Sequence, residues 1–120
     1  MTQQIGFFSE KVVDLLKLDI EINTPIYIGD SNIEHIKNRH PYEYDLYFSK
    51  IDDIISNPDY VGQNPSDKSI AFVKTYQLDS EFIRVAVRIT PSGRHFAKTL
   101  HLLSTHNAER YIEKGTLIKC

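Results

Sequence analysis

The chain has 120 residues, of which 41% are hydrophobic and 25% charged, and its formal net charge is −2 at pH 7. These values are ordinary for one soluble globular domain. A net negative charge argues against non-specific coating of nucleic acid, although a small basic site remains compatible with it. The single cysteine, Cys120, excludes an internal disulfide and a cysteine-based zinc site. With no membrane-length apolar run and no secretory signal pattern, we expect a cytoplasmic protein without membrane contact; delivery into a host cell stays open.

Helical patterns dominate the first 58 residues. Ser9 can cap a first helix of about nine residues, which has an apolar stripe on one side. Residues 18–28 then alternate between apolar and polar side chains, and Pro25 favours an edge strand or an extended lead-in there. A later helix is predicted from Ser49, where a second capping pattern begins, to an Asn-Pro-Asp stop.

The segment DSNIEHIKNRHP predicts a short helix that is rich in proton-transfer and anion-binding groups. Ser31, three residues before Glu34, fits a capping box at its start, and Pro41 ends it. Three side chains lie near its C-terminal end, where the helix dipole stabilises cations: His35, Arg39 and His40.

Simpler interpretations apply to the histidines. His40 could merely cap the last carbonyls of its helix. His95 and His106 are expected to be ordinary surface residues. A helical metal pair needs a four-residue spacing, whereas His35 and His40 are five apart, so we predict neither a metal site nor a cofactor.

From residue 59 onward the hydrophobic period changes from about 3.6 to 2, which predicts strands. Three consecutive strands, over 68–78, 82–90 and 95–103, form an antiparallel meander. Tyr60-Val61 or the Ile-rich lead-in could extend it. We therefore predict a single α+β domain in which N-terminal helices pack on one face of a three- to four-stranded antiparallel sheet, followed by a short C-terminal helix. Its predicted parts are a mainly helical region, the sheet, and the C-terminal helix with its tail: 1–58, 59–105 and 106–120. Within the last part the helix is predicted over 107–114 and an edge strand over 116–119.

Alternation along the strands separates a covered face, which helices should bury, from an open face. Ile83, Val87 and Leu100 mark the covered face. The open face collects cationic, hydroxyl and imidazole groups: Lys74, Arg84, Arg88, Thr99 and His101, with Tyr76 nearby. Lys98 falls on the covered side, where a β-bulge or a strand end would have to accommodate it. A solvated sheet face with no special role is the simpler interpretation.

These side chains suit a substrate that carries phosphates. Lys and Arg would bind the phosphate and stabilise the charge that develops on its oxygens, and the histidines would transfer protons. RNA supplies its own nucleophile, the 2′-hydroxyl, so a base, an acid and an anion-binding group would suffice without a metal.

The order of the segments resembles a phage-associated nuclease family of the Barnase–EndoU–colicin–RelE-like (BECR) group. The similarity spans about Ile26 to Leu103 and is carried by PIYIGDSNIEHIKNRH, SNPDYVG, VKTY, FIRVAVRI and FAKTLHLL. The family's "HI…RH" and "NPD" motifs both occur in these segments. The resemblance implies a metal-independent ribonuclease fold, in which helices pack on a four-stranded antiparallel sheet and RNA lies across the open face.

Carried over by position, the resemblance matches His35, Arg39 and His40 to the family's His-rich helix, and Lys74, Arg88 and Thr99 or His101 to its sheet-borne polar positions. We predict catalytic roles for His35, His40, Lys74, Arg88, Thr99 and His101, with His40 as general base or acid and His35 or His101 as its counterpart. Arg39, Tyr76 and Arg84 would bind substrate. RNA, with tRNA among the candidates, is the predicted partner, and an immunity or host protein could be a second. Two other functions stay open, namely a non-catalytic RNA- or protein-binding module with the same fold and an inhibitor of a host defence enzyme.

Overall fold

Seven strands form one mixed sheet in the computed structural model, which describes residues 1–76 and 80–120. In chain order its elements are β1 (Thr2–Phe7), α1 (Glu10–Leu16), β2 (Pro25–Gly29), α2 (Asp30–Arg39), α3 (Pro41–Tyr47), a 3₁₀ turn (Phe48–Lys50), α4 (Ile51–Ser56), β3 (Tyr60–Gln63), β4 (Ile70–Tyr76), β5 (Glu81–Arg88), β6 (His95–Leu103), α5 (Thr105–Glu113) and β7 (Ile118–Lys119). Within these described ranges, no helix is both long and apolar enough to cross a membrane.

The strand order is β1-β2-β6-β5-β4-β3-β7, and every neighbouring pair is antiparallel except β2 and β6, which are parallel. The α+β class and the β4-β5-β6 meander are confirmed. The predicted sheet of three to four antiparallel strands was too small. Both suggested extensions exist as β3 and β2, and β7 lies within the predicted edge strand. β1 was missed because it lies at the sheet's edge with its first three residues exposed, so it lacks the burial-driven alternation that identifies a strand.

Helix boundaries follow local hydrogen bonds. The Ser9 side chain accepts a hydrogen bond from the N–H of Val12, at 3.3 Å, so the predicted first cap is confirmed. The predicted cap at Ser31 is wrong, because α2 begins directly after Gly29, whose N–H donates to the Asn32 side chain at 2.9 Å. The helix predicted from Ser49 instead begins as a 3₁₀ turn and becomes α-helical only from residue 51. Residues 77–79, the predicted end of a strand and start of a turn, lie outside the described residues.

The covered face is confirmed as the main core. Ile83, Val85 and Leu100 are fully buried there beneath the N-terminal helices, together with apolar side chains that α1, α2, α3 and α4 contribute. On the opposite face α5 covers one end only, where it packs over Val73, Phe82 and Leu103. The remainder of that face is the open face.

A β-bulge in β6 decides which side chains reach the open face. Ala86 pairs with Thr99, but Val87 pairs with Ala97, so Lys98 is the extra residue of the bulge. The bulge accommodates Lys98, and it also reverses the alternation before it, which places Phe96 on the open face and buries His95.

His95 is only 4% exposed, and its ring lies edge-on to Phe8 with 5.7 Å between centroids. Its Nδ1 accepts a hydrogen bond from the N–H of Thr90, and burial lowers its pKa. The prediction of a surface position was therefore wrong for His95, whereas His106 is exposed as expected.

Helices α2 and α3 lie against β6 where it is no longer paired with β2. The two strands pair only at Ile26–His95 and Tyr27–Phe96, and further along β6 its edge faces the two helices. There the carboxylate of Glu43, from α3, accepts a hydrogen bond from the backbone N–H of Leu102 at 2.8 Å. The C-terminal end of α2 is thus held beside the open face.

Candidate active site

A cavity of about 960 Å³ lies between α2 and the open face of β5 and β6. The side chains that line it include imidazole, cationic and hydroxyl groups: His35, His40, Arg88, Lys98, Thr99 and His101. These side chains converge because β2 leads directly into α2, and the other end of α2 lies against the edge of β6.

Three imidazoles lie in sequence along one side of the cavity. The ring centroids of His35 and His40 are 6.0 Å apart and edge-on, and those of His40 and His101 are 5.4 Å apart and stacked. His40 is fixed at the corner between α2 and α3. Its N–H donates to the carbonyl of Ile36 at 2.8 Å, and its own carbonyl accepts from the N–H of Tyr44 at 2.9 Å.

Glu43 lies beside His40 and was not predicted from the sequence. Its Oε2, which accepts the Leu102 N–H, lies 3.8 Å from His40 Nδ1, and its side chain is only 13% exposed. The carboxylate thus lies on the Nδ1 side of the ring, at a distance longer than a hydrogen bond. The only sequence signal was an acidic residue three positions after a histidine.

His101 is held neutral by burial and, after it, by Arg84. Arg84 donates to its Nε2, with Nε and Nη2 at 3.1 and 2.7 Å, and a guanidinium has only donors, so the proton of the imidazole lies on Nδ1. Burial, followed by the charges of Arg84, His40 and Lys98, lowers the pKa of His101 to about 4. Desolvation also lowers the pKa of Arg84. At neutral pH His101 therefore presents an N–H donor and no free lone pair.

Cationic and hydroxyl groups lie beside the imidazoles. Thr99 Oγ1 is buried and has no hydrogen-bond partner among the described residues. Arg88 is exposed. Lys98 Nζ donates to Asp67 at 2.7 Å, an interaction that holds the pKa of Asp67 well below its usual range. A buried hydroxyl without a partner is costly.

Lys74 and Tyr76 are not at this site. Phe72 pairs with Val85 in the core, and residues two and four positions further along β4 share that covered face. Lys74 Nζ donates to the carbonyl of Asn57 at 2.7 Å. The Tyr76 hydroxyl lies 3.4 Å from Asp53, and its ring lies 4.9 Å from that of Tyr47. Their predicted placement beside Arg84 and His101 is therefore wrong.

Of the seven other predicted site residues, five line the cavity, one lies behind it and one lies outside it. The cavity brings together His35, His40, Arg88, Thr99 and His101, with Arg84 directly behind His101. Arg39 is exposed and is not one of the residues that line the cavity. Within 1–76 and 80–120, no group of three or more His, Cys, Asp or Glu side chains is placed to hold a metal ion.

Comparisons with known proteins identify the family of this chain. A search of curated proteins and a search of solved structures each gave no match. The sequence profile of the family described as phage-Barnase-EndoU-ColicinE5/D-RelE like nuclease3 (PBECR3) matches residues 3–110, a span that contains every site residue discussed above. The resemblance drawn from the sequence is thereby confirmed, and the chain belongs to this phage-type nuclease family.

Proposed function

We propose that the protein is an endoribonuclease that cleaves RNA by attack of the 2′-hydroxyl on the adjacent phosphorus, without a metal ion. The observation that carries this proposal is the convergence of His35 and His40 with Arg88 and the unpartnered Thr99 hydroxyl on one cavity. A base, an acid and an anion-binding group are what this reaction needs, because the substrate contributes the nucleophile.

In the proposed reaction, Nε2 of His40 takes the proton from the 2′-hydroxyl. The 2′-oxygen then forms a bond to phosphorus while the bond from phosphorus to the 5′-oxygen breaks. His35, whose ring is 6.0 Å from that of His40, donates a proton to the leaving 5′-oxygen. The products are a 2′,3′-cyclic phosphate and a 5′-hydroxyl end.

Charge that develops on the non-bridging oxygens would be stabilised by Arg88 and Lys98, with the Thr99 hydroxyl as a further donor. Lys98 takes the role that the sequence had given to Lys74, because it lies on the cavity side of the sheet. Asp67 would share Lys98 with the phosphate.

The geometry favours His35 over His101 as the counterpart of His40. The Nε2 lone pair of His101 is occupied by Arg84, and a pKa of about 4 keeps the ring from acting as an acid at neutral pH. We assign His101 the role of stacking against His40 and presenting its Nδ1–H to the cavity. Arg84 then positions His101, and this replaces its predicted contact with substrate.

A non-catalytic RNA-binding module is the second candidate. The net charge of −2 favours it, as does the ion pair with Asp67 that partly neutralises Lys98. Such a module would use the same cavity to hold a phosphate, yet it would leave RNA intact at every pH. A protein partner, whether an immunity or a host protein, stays a prediction.

The test is incubation of the purified protein with total RNA and with a tRNA pool in EDTA, followed by analysis of the fragment ends. We expect discrete cleavage with cyclic-phosphate ends, and a loss of about 10³-fold in His40→Ala because general acid–base catalysis contributes that order of rate. Glu43→Gln should retain part of the activity, since it removes only a negative charge 3.8 Å from Nδ1 of His40.

His106→Ala is the matched control, because His106 is an exposed histidine away from the cavity. It should cleave as the wild type does, and both histidine variants should keep the wild-type melting temperature. Cleavage that survives in His40→Ala would contradict the assignment. Intact RNA with retained binding would instead support the non-catalytic module, and cleavage that EDTA abolishes would contradict metal independence.

A further inference from the structure

An aromatic group adjoins the phosphate-binding side of the cavity. Phe96 lines the cavity and lies opposite Tyr27 across the parallel β2–β6 pair, with 5.9 Å between ring centroids. The guanidinium of Arg94 lies over both rings, 4.8 Å from the centroid of Tyr27 and 5.6 Å from that of Phe96. On the other side of β6, Arg88 pairs directly with Phe96.

These rings differ from the aromatic side chains of the core. Phe8 and Phe72 are completely buried, whereas Phe96 and Tyr27 each keep part of their surface exposed. The bulge at Lys98 brings Phe96 to the open face.

We propose that Phe96, with Tyr27 and Arg94, forms a stacking site for the nucleobase of a nucleotide next to the phosphate held by Arg88. This inference deepens the proposed function and rests on RNA as its substrate. Partly exposed aromatic rings interleaved with arginines are how proteins bind single-stranded nucleic acid, because every base has a face that stacks on a ring.

The arrangement specifies the kind of RNA that fits. A base can lie flat on Phe96 only if it is unpaired and turned out of a helix, so the site favours loops, bulges and single strands over duplex. Stacking contacts the face of a base and none of its hydrogen-bonding edges, so the site accepts any of the four bases. Its contribution is to fix the position of the phosphate relative to His40.

The test measures binding of a fluorescent 2′-fluoro RNA of about ten nucleotides, which spans a typical single-strand site and lacks the attacking hydroxyl. Binding can thus be measured whether or not the protein cleaves RNA. We expect Phe96→Leu to weaken binding about tenfold, because it removes one base–aromatic stack, whereas Phe96→Tyr keeps the ring and should bind as the wild type does.

Phe48→Leu is the matched control, since Phe48 belongs to an equivalent aromatic and cationic group outside the cavity. Its ring stacks on Tyr44 at 4.9 Å, and Lys37 lies 5.4 Å from the centroid of Tyr44. This variant should bind the probe like the wild type. Circular dichroism on all variants separates lost binding from lost folding.

An abasic nucleotide, walked along the probe, identifies the stacked base. At one position it should weaken wild-type binding about tenfold and leave Phe96→Leu unchanged, because ring and base are then partners in one contact. Equal losses in both proteins at every position, wild-type affinity of Phe96→Leu, or no binding of the probe would overturn the stacking site.

The two proposals fail separately. Stacking on Phe96 with intact RNA in the EDTA assay would support this site and contradict the nuclease mechanism. Cleavage together with no effect of Phe96→Leu on binding would support the nuclease mechanism and contradict the stacking site.

Discussion

The two faces of the sheet carry similar polar residues that make different contacts. On the covered face, Lys74 donates to the carbonyl of Asn57, and Tyr76 lies beside Asp53. On the open face, Arg88 is exposed, and Thr99 Oγ1 has no partner in the described part of the chain. The polar groups named on the first face have partners within the fold, whereas Arg88 on the second is exposed to solvent and the Thr99 hydroxyl has no partner among the described residues. A residue's type alone therefore does not identify a site.

The two histidines of β6 show the same difference within one strand. His95 and His101 both accept hydrogen bonds and both have lowered pKa values, yet the bulge between them places them on opposite faces. His95 is packed against Phe8, while His101 stacks on His40 in the cavity. The first is a core residue, and the second supports the proposed chemistry.

The largest effect that we expect on stability comes from His101. Its pKa is about 4 in the folded protein and about 6.5 when unfolded, so the unfolded chain takes up a proton first as the pH falls. Stability is thus fully present above pH ~6.5 and declines toward pH ~4, by at most about 3 kcal/mol from this residue. Urea unfolding at several pH values measures the decline, which should be smaller in His101→Asn.

His106→Asn provides the control for that titration, because it removes an exposed imidazole and should follow the wild-type curve. Since His95 and the carboxylates also titrate, the informative quantity is the difference between variants. If His101→Asn and the wild type lose stability in parallel, then His101 is not held neutral by its surroundings.

An intermediate effect should distinguish two lysines on opposite faces. Lys98→Ala should weaken RNA binding about tenfold at low salt and reduce its salt dependence, because a phosphate contact is lost. Its stability should change little, since the ion pair with Asp67 is exposed. Lys74→Ala should leave RNA binding intact but cost about 1 kcal/mol of folding free energy, since its hydrogen bond to Asn57 is lost.

Fluorescence anisotropy at two salt concentrations and urea unfolding measure both properties of both variants. The assignment of faces fails if Lys74→Ala weakens RNA binding as much as Lys98→Ala does.

Much of the site could be predicted from local patterns. Alternation in β5 correctly placed Arg84 and Arg88 together, and the helix signals brought His35 and His40 near the site. The wrong predictions concerned side chains whose face depends on how neighbouring strands pair. The register with β5 decides that Lys74 follows Phe72 into the covered face, and no local pattern contains that register.

Long-range contacts also lay beyond the sequence analysis. The bulge at Lys98 was suspected from its position, but its consequence for Phe96 and His95 depends on where the alternation resets. Glu43 gains its role from a hydrogen bond to Leu102, 59 residues away. β1 was missed for a similar reason, because its pairing with β2 supplies what its polar sequence lacks.

The smallest effect comes from two Thr→Val substitutions on one side of the sheet, Thr99 in the cavity and Thr75 in the pair with Phe82. Thr99→Val keeps the shape of the side chain and removes a buried oxygen with no partner among the described residues, so the protein should become about 1 kcal/mol more stable. RNA cleavage should fall about three- to tenfold, because the transition state loses one hydrogen bond.

Thr75→Val is the matched change in β4. The Thr75 hydroxyl donates to Asp59 at 3.0 Å, so this variant should be about 1 kcal/mol less stable and should cleave RNA normally. Opposite signs of the two stability changes, measured by urea unfolding, would show that the fold uses one hydroxyl and leaves the other for substrate. If Thr99→Val destabilises the protein without slowing cleavage, the Thr99 hydroxyl has a structural role. The support for a substrate site on the open face is then weaker.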